Sequence, residues 1–166
     1  YNTMAHLFEV DGYFTRGDWT FQGQGSVGTQ KLAAITPDAD GNYRDASWWG
    51  LSALAGYSIT PRLQGLVRAD YLHNTKNGGG LFTYNGYSAF DDTGTLVYGN
   101  DGRNGLGPDL SGDLNRGANR YAITMGLKYV FNENTTLKAE YRLDGADRAV
   151  FFDVKDGTYN KRNHLF

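Results

Sequence analysis

The sequence predicts an all-β protein, an antiparallel transmembrane β-barrel of which about six long strands are visible, and three observations lead there. Six segments alternate apolar with polar or small residues at period two; short turns alternate strictly with long connections; aromatic residues recur eight positions apart on the apolar face. Length and composition agree. The 166 residues include 23 Gly, 3 Pro and no Cys, carry a formal charge of −2, and are 14% aromatic. The charge leaves no basic surplus for phosphates, which argues against nucleic acid as a partner. Without cysteine there are no disulfides, thiolate metal sites or thiol nucleophiles. The longest hydrophobic runs are four residues, Leu32–Ile35 and Ala149–Phe152, so no transmembrane helix of about 20 residues exists. A mean hydropathy of −0.54 is no obstacle to a barrel, whose strands hide their apolar residues by alternation.

The elements follow in chain order. The first strand sets Phe8, Val10, Gly12 and Phe14 against Glu9, Asp11 and Tyr13. The second sets Trp19, Phe21, Gly23, Gly25 and Val27 against Thr20, Gln22, Gln24 and Ser26. In the third, Trp49, Leu51, Ala53, Ala55, Tyr57 and Ile59 oppose Trp48, Gly50, Ser52, Leu54, Gly56 and Ser58. In the fourth, Leu63, Gly65, Val67, Ala69 and Tyr71 oppose Gln64, Leu66, Arg68 and Asp70, with Leu66 the one apolar exception. The fifth places Tyr121, Ile123, Met125, Leu127, Tyr129 and Phe131 opposite Ala122, Thr124, Gly126, Lys128 and Val130. The sixth is the sharpest: Leu137, Ala139, Tyr141 and Leu143 face one way, and Lys138, Glu140, Arg142 and Asp144 the other. Each strand should run roughly 9 to 13 residues.

Tight turns are expected at Arg16-Gly17-Asp18, Thr60-Pro61-Arg62 and Asn132–Thr135, and long loops at about 31–46, 74–119 and 146–162. All three prolines fall in connections, where a missing amide donor costs nothing. The Asp-Gly and Asn-Gly pairs at 40-41, 77-78, 85-86, 101-102, 104-105 and 156-157 fall there too, suited to positive φ. Alternating short and long connections put every turn at one end of the sheet, the plan of outer-membrane barrels.

Trp49 to Tyr57 and Tyr121 to Tyr129 each span eight residues, which at a strand tilt near 40° rise roughly 20 Å, close to the apolar band of such barrels. Phe14, Trp19, Tyr57, Tyr129 and Phe131 should form a turn-side aromatic girdle at the lipid interface, and Trp49, Tyr71 and Tyr121 a loop-side one. The opposite face should line a wet lumen with Glu9, Asp11, Arg68, Asp70, Lys128, Lys138, Glu140, Arg142 and Asp144. These are four cations against five anions, too balanced to set an ion preference.

Several stretches carry a family likeness. Trp19–Gln24 after a Gly-Asp turn, Ile59–Leu63 at a tight turn and Phe131–Arg142 resemble the C-terminal hairpins of Gram-negative porins. The group resembled is that of porin-like outer-membrane proteins of proteobacteria, distantly similar to phosphate-selective porins. The resemblance implies an outer-membrane location, a passive channel for small hydrophilic solutes and a tendency to form homotrimers. No phosphate-binding lysine carries over, since no lysine-rich loop matches. The closing strand departs from the porin pattern: counting back in twos from Phe166 gives His164, Arg162 and Asn160, none apolar. Asn163–Phe166 looks instead like the start of a seventh strand. Six strands do not close a standard barrel of eight or more, and Tyr1–Met4 carries no signal-peptide pattern. The expectation is a segment, 1–166, of a larger barrel.

Other chemistry finds less support. Gly23-x-Gly25-x-x-Gly28 matches a dinucleotide fingerprint but lacks the helix that must follow. Asp38, Asp40, Asn42 and Asp45 place oxygen ligands around Gly41 as a calcium loop does, without its terminal Glu. His6, His73 and His164 have no zinc-site spacing, and there is no Gly-x-Ser-x-Gly elbow. Arg16-Gly17-Asp18 spells an adhesion tripeptide, which in a turn at the short-loop end means nothing. No enzyme activity, cofactor or resident metal is expected. The 74–119 loop, with aromatics and carboxylates, would either constrict the lumen or bind a partner. The alternative to the membrane barrel is a soluble β-sandwich that binds carbohydrate or protein, with calcium at the 38–45 loop; alternation alone does not separate the two, because a sandwich also has one polar face.

Overall fold

The computed structural model describes residues 4–33, 39–42, 44–74, 76, 86–90, 93, 96–100 and 117–165. Its strands are β1 (Ala5–Arg16), β2 (Trp19–Gln30), β3 (Ala46–Thr60), β4 (Leu63–His73), β5 (Gly86–Phe90), β6 (Leu96–Asn100), β7 (Arg120–Asn132), β8 (Thr135–Ala146), β9 (Phe151–Asp153), β10 (Thr158–Asn160) and β11 (Arg162–Leu165). One antiparallel sheet of seven strands, ordered β1-β2-β3-β4-β7-β8-β11, makes up most of the fold; β5-β6 and β9-β10 are separate two-stranded hairpins. There is no α-helix among the described residues.

The six alternating segments are strands β1 to β4, β7 and β8, and the seventh strand glimpsed at the C-terminus is β11, paired with the loop end of β8. Two expectations need correction. The long connections are not structureless: 74–119 holds the β5-β6 hairpin and 146–162 the β9-β10 hairpin. Both are short pairs between turn-forming stretches, where period-two patterning over three to five residues is too brief to register. β3 is also longer than expected, at 15 residues.

Each turn has a local cause. The β1-β2 hairpin closes on two residues, with Gly17 at φ 59°, a backbone state that a two-residue hairpin loop demands and glycine supplies without strain. At the β3-β4 turn, the Thr60 hydroxyl oxygen accepts from the N–H groups of Arg62 (3.3 Å) and Leu63 (3.0 Å). At the β7-β8 turn, Asn132 Oδ1 accepts from the Asn134 N–H at 3.0 Å. Side-chain oxygens that bond the backbone just ahead are the usual device for such turns. The register shifts just before both, between Ser58 and Thr60 and between Val130 and Asn132, so Ile59 and Phe131 each sit in a one-residue bulge.

The turns are not level along the sheet. A single cross-strand row runs Arg16, Trp19, Tyr57, Gly65, Leu127, Ala139. From that row Gly17 and Asp18 follow at once, Pro61 and Arg62 lie four and three residues away, and Glu133 and Asn134 six and five. Each turn is therefore bonded to the flank of the next hairpin: Ser58 N–H donates to the Asp18 carbonyl (2.9 Å) and Val130 N–H to that of Arg62 (2.8 Å). The stagger grows by roughly 1.1 residues per strand, which with about 3.4 Å per residue and about 4.8 Å between strands inclines the strands by about 40° to the normal of the line of turns.

Burial is sparse and, within the strands, falls mostly on the polar face. The buried apolar residues are Ala46, Trp48, Ala118, Ala122, Ala146 and Val150. Ala46, Trp48, Ala122 and Ala146 belong to the polar face by parity, while Ala118, Ala146 and Val150 cluster at the loop end with Phe151. The apolar face is open: Phe8 is 66% exposed, Leu51 57%, Met125 56% and Leu137 57%. In β7 the alternation is strict, with Tyr121, Ile123, Met125, Leu127 and Tyr129 exposed and Ala122, Thr124, Gly126, Lys128 and Val130 buried or half-buried.

Substituting Gly17→Val forces a β-branched residue into a left-handed conformation and should cost about 1–2 kcal/mol. Thermal unfolding followed by the β-sheet signal should show a midpoint lower by roughly 2–8 °C, whereas Asp18→Asn, at an ordinary φ, should leave it in place.

Candidate functional site

Because residues paired across an antiparallel ladder share a face, the register decides which side chains meet. All nine charged residues read from the sequence fall on the same face. One row reads Asp11, Gln24, Ser52, Asp70, Ala122, Asp144, Asn163, polar at six of its seven positions. The next row toward the turns reads Tyr13, Gln22, Leu54, Arg68, Thr124, Arg142, Leu165. Aspartate on β1, β4 and β8 thus lies one row from arginine on β4 and β8. Closer to the turns, Lys128 and Lys138 oppose one another, with Glu140 one row above in line with Gly126. Glu9 and Arg120 share the row nearest the loops, four strands apart.

The two rows are joined within single strands. Arg68 Nη2 contacts Asp70 Oδ1 at 2.8 Å, and Arg142 Nη2 contacts Asp144 Oδ1 at 2.7 Å, each with a second bond from Nε at 2.8 Å. Two residues apart on a strand is the nearest same-face spacing, so the Arg-x-Asp pattern pairs its charges without help from neighbouring strands. With the arginine side chains about half exposed, these pairs contribute little to stability; their effect is on the field over the face. Between β1 and β4, Asp11, Tyr13, Gln22, Gln24, Ser52 and Arg68 line a polar depression of about 310 Å³.

Several large apolar side chains share this face, and glycine makes room for two of them. A Cβ on Gly28 would run into the Trp48 indole, and one on Gly126 would meet Leu66 at 3.0 Å. Leu66, the exception in the alternation, is therefore laid over Gly126 on the neighbouring strand.

At the loop end a polar network ties three strands together. Asn119 Oδ1 accepts from the Asn74 N–H at 3.0 Å, while the Asn119 N–H and Nδ2 donate to Asp147 Oδ1 and Oδ2, both at 3.0 Å. Arg120 Nη1 donates to the Ala118 carbonyl at 3.0 Å. Arg120 precedes the Tyr121 rim and lies outside the span from Tyr121 to Tyr129. Arg120, Asn119, Asp147 and Trp48 are absent from the sequence-derived set. Arg120 had a signal, its parity with Ala122 and Thr124; Asn119 and Asp147 lie outside any periodic pattern.

The opposite face holds the aromatics at its two ends. On the turn side, Trp19 contacts Tyr57 (ring centroids 4.7 Å) and Phe21 (5.5 Å), Phe14 contacts Phe21 (6.5 Å), and Tyr129 contacts Phe131 (4.8 Å). On the loop side, Trp49 packs against Tyr71 and His73, both at 5.3 Å, and Tyr71 faces Tyr121 in register. All eight aromatics read from the sequence lie in these two clusters, to which the structure adds Phe21 and His73.

Of the calcium-loop residues, Asp38 lies outside the described residues. Asp45 Oδ1 accepts from the N–H of Leu32, which has φ 53°, at 3.1 Å, so its carboxylate holds that turn. Among the described residues no group of three or more His, Asp or Glu side chains could hold a metal ion. Gly23, Gly25 and Gly28 all lie within β2, and Lys31-Leu32 after it form a turn rather than a helix.

Compared with known proteins, residues 2–166 match a family model described as a protein of unknown function, DUF3138. The chain belongs to the DUF3138 family. No curated protein and no solved structure matches it. The family description carries no activity, so the chemistry of the two faces is the ground for a functional reading.

Replacing Asp147 with Ala removes the acceptor of two Asn119 donors at a water-accessible site, at a cost of about 1 kcal/mol. Amide exchange at 117–120 and 146–150 should accelerate, while the turn ends of β3 and β7 keep their protection.

Proposed function

We propose that the sheet is the wall of an outer-membrane β-barrel whose polar face lines a water-filled channel for passive diffusion of small hydrophilic solutes. The observation that carries this reading is the open apolar face: its large side chains stay exposed from Phe8 on β1 to Leu137 on β8, while the buried positions of β2, β3 and β7 all fall on the opposite face. Water would drive the reverse arrangement, since burying apolar surface is the main favourable term in folding. Lipid on the outside and water on the inside make it stable. The sandwich alternative needs a second sheet over the apolar face, and none lies there among the described residues.

Three further features support the reading. Aromatic clusters bound the apolar face at both ends, as at a membrane's two interfaces. The stagger of the turns gives strands tilted about 40°, within the range of transmembrane barrels. The edges β1 and β11 both run from loop end to turn end, so the sheet closes in antiparallel fashion only with an odd number of additional strands, for an even total. Solutes then pass a lysine level near the turns and, above it, a zone in which arginines and aspartates mix. Paired charges of both signs pass ions and neutral solutes with little discrimination.

The protein should be monodisperse only in detergent or lipid and should give discrete conductance steps in planar bilayers. A monodisperse protein in plain buffer would defeat the membrane reading. In the double variant R68Q/R142Q, Asp70 and Asp144 lose their partners, and the cation-to-anion permeability ratio from reversal potentials should rise by a factor of about 2–5. An unchanged ratio would remove these pairs from the conduction path.

A further inference from the structure

The seventh strand breaks the rule that the other six obey. Arg162 pairs with Gly145 and His164 with Leu143, so both point to the apolar face, while Asn163 and Leu165 share the polar one. A guanidinium facing hydrocarbon is costly near the middle of a bilayer and inexpensive at its surface. The row Leu51, Tyr71, Tyr121, Gly145, Arg162 places Arg162 two strands beyond the loop-side rim. The stagger of the sheet lifts it about two residues, roughly 5 Å, above Tyr121, and leaves His164 near the level of the rim.

Neighbouring side chains complete a polar patch there. The Tyr121 ring lies across Gly145, where a Cβ would run into its hydroxyl end. Glycine at 145 therefore leaves no side chain of β8 between the Tyr121 hydroxyl and the strand that carries Arg162. One row closer to the turns, the Tyr141 hydroxyl is 2.6 Å from His164 Nδ1. With Tyr141 donating, the neutral imidazole carries its proton on Nε2, at the far side of the ring. Among the described residues no carboxylate pairs with Arg162. One guanidinium, one imidazole and one phenol thus share the water edge of an otherwise apolar face.

We propose that Arg162, His164 and the Tyr121 hydroxyl bind the headgroup phosphate of a membrane lipid, with Tyr141 orienting His164. The proposal rests on the membrane reading above. Guanidinium with neutral donors is the donor set for a phosphate oxyanion, and the patch stands where headgroups end and acyl chains begin.

The test is native mass spectrometry of the protein in a neutral detergent, titrated with phosphatidylglycerol or phosphatidylcholine of equal chain length. The wild type should retain one phosphatidylglycerol at roughly tenfold lower concentration than phosphatidylcholine, because only the former is net anionic. R162Q/H164Q should abolish the preference, Y121F should weaken it, and K155Q on the β9-β10 turn should leave it intact. Equal retention of both lipids by a protein that still needs detergent overturns the site and spares the barrel. Solubility without detergent overturns the barrel reading itself. Displacement of the lipid by inorganic phosphate at matched concentration would make this a free-anion site and overturn the assignment to lipid.

Discussion

Everything distinctive about this chain depends on an unbroken antiparallel register. Side chains alternate faces with a period of two, so a one-residue slip in one strand would send its charges to the apolar face and its aromatics to the polar one. Register is continuous through the interiors of β1, β2, β3, β4, β7 and β8, and both irregularities, at Ile59 and Phe131, are confined to turn ends. A bulge there re-aims a turn without inverting the strand that led to it. The Thr60 and Asn132 side chains hold those turns, and with them the alignment of β4 and β8, the strands that carry the two Arg-x-Asp pairs.

Where does a sheet with so little buried apolar surface find its cohesion? Much of it lies in the backbone ladder, which satisfies the polar groups of β2, β3, β4 and β7 on both sides. Glycines then let side chains lie flat against the sheet: Trp48 over Gly28, Leu66 over Gly126, Tyr121 over Gly145. The first two pack the inner face near the loops and near the turns, and the third braces the outer rim. The Asn119-Asp147 network at the loop end ties β4, β7 and the segment after β8 where the chain leaves the sheet.

Much of this is legible in the sequence, for a definite reason. Alternation is a property of single strands, so the faces of β4, β7 and β8, the turns at 17–18, 61–62 and 133–134, and membership of both aromatic clusters follow from local pattern. What composition leaves open is which face is shielded, since a soluble sandwich alternates too; that depends on how the strands curve together. The β9-β10 hairpin, the partnership of Asn119 with Asp147 and the placing of Tyr121 over Gly145 depend on residues far apart in the chain or on stretches too short to show a period. His164 drew notice in the sequence only as a lone histidine, because its meaning comes from Tyr141 on the neighbouring strand.

The two Arg-x-Asp pairs have a consequence beyond the field they create. Each is closed within one strand, so neither Arg68 nor Arg142 relies on an adjacent strand for its counter-ion. A strand that carries such a pair can be set beside a different neighbour without separating those two charges, so Arg-x-Asp places no demand on the sequence of the strand next to it.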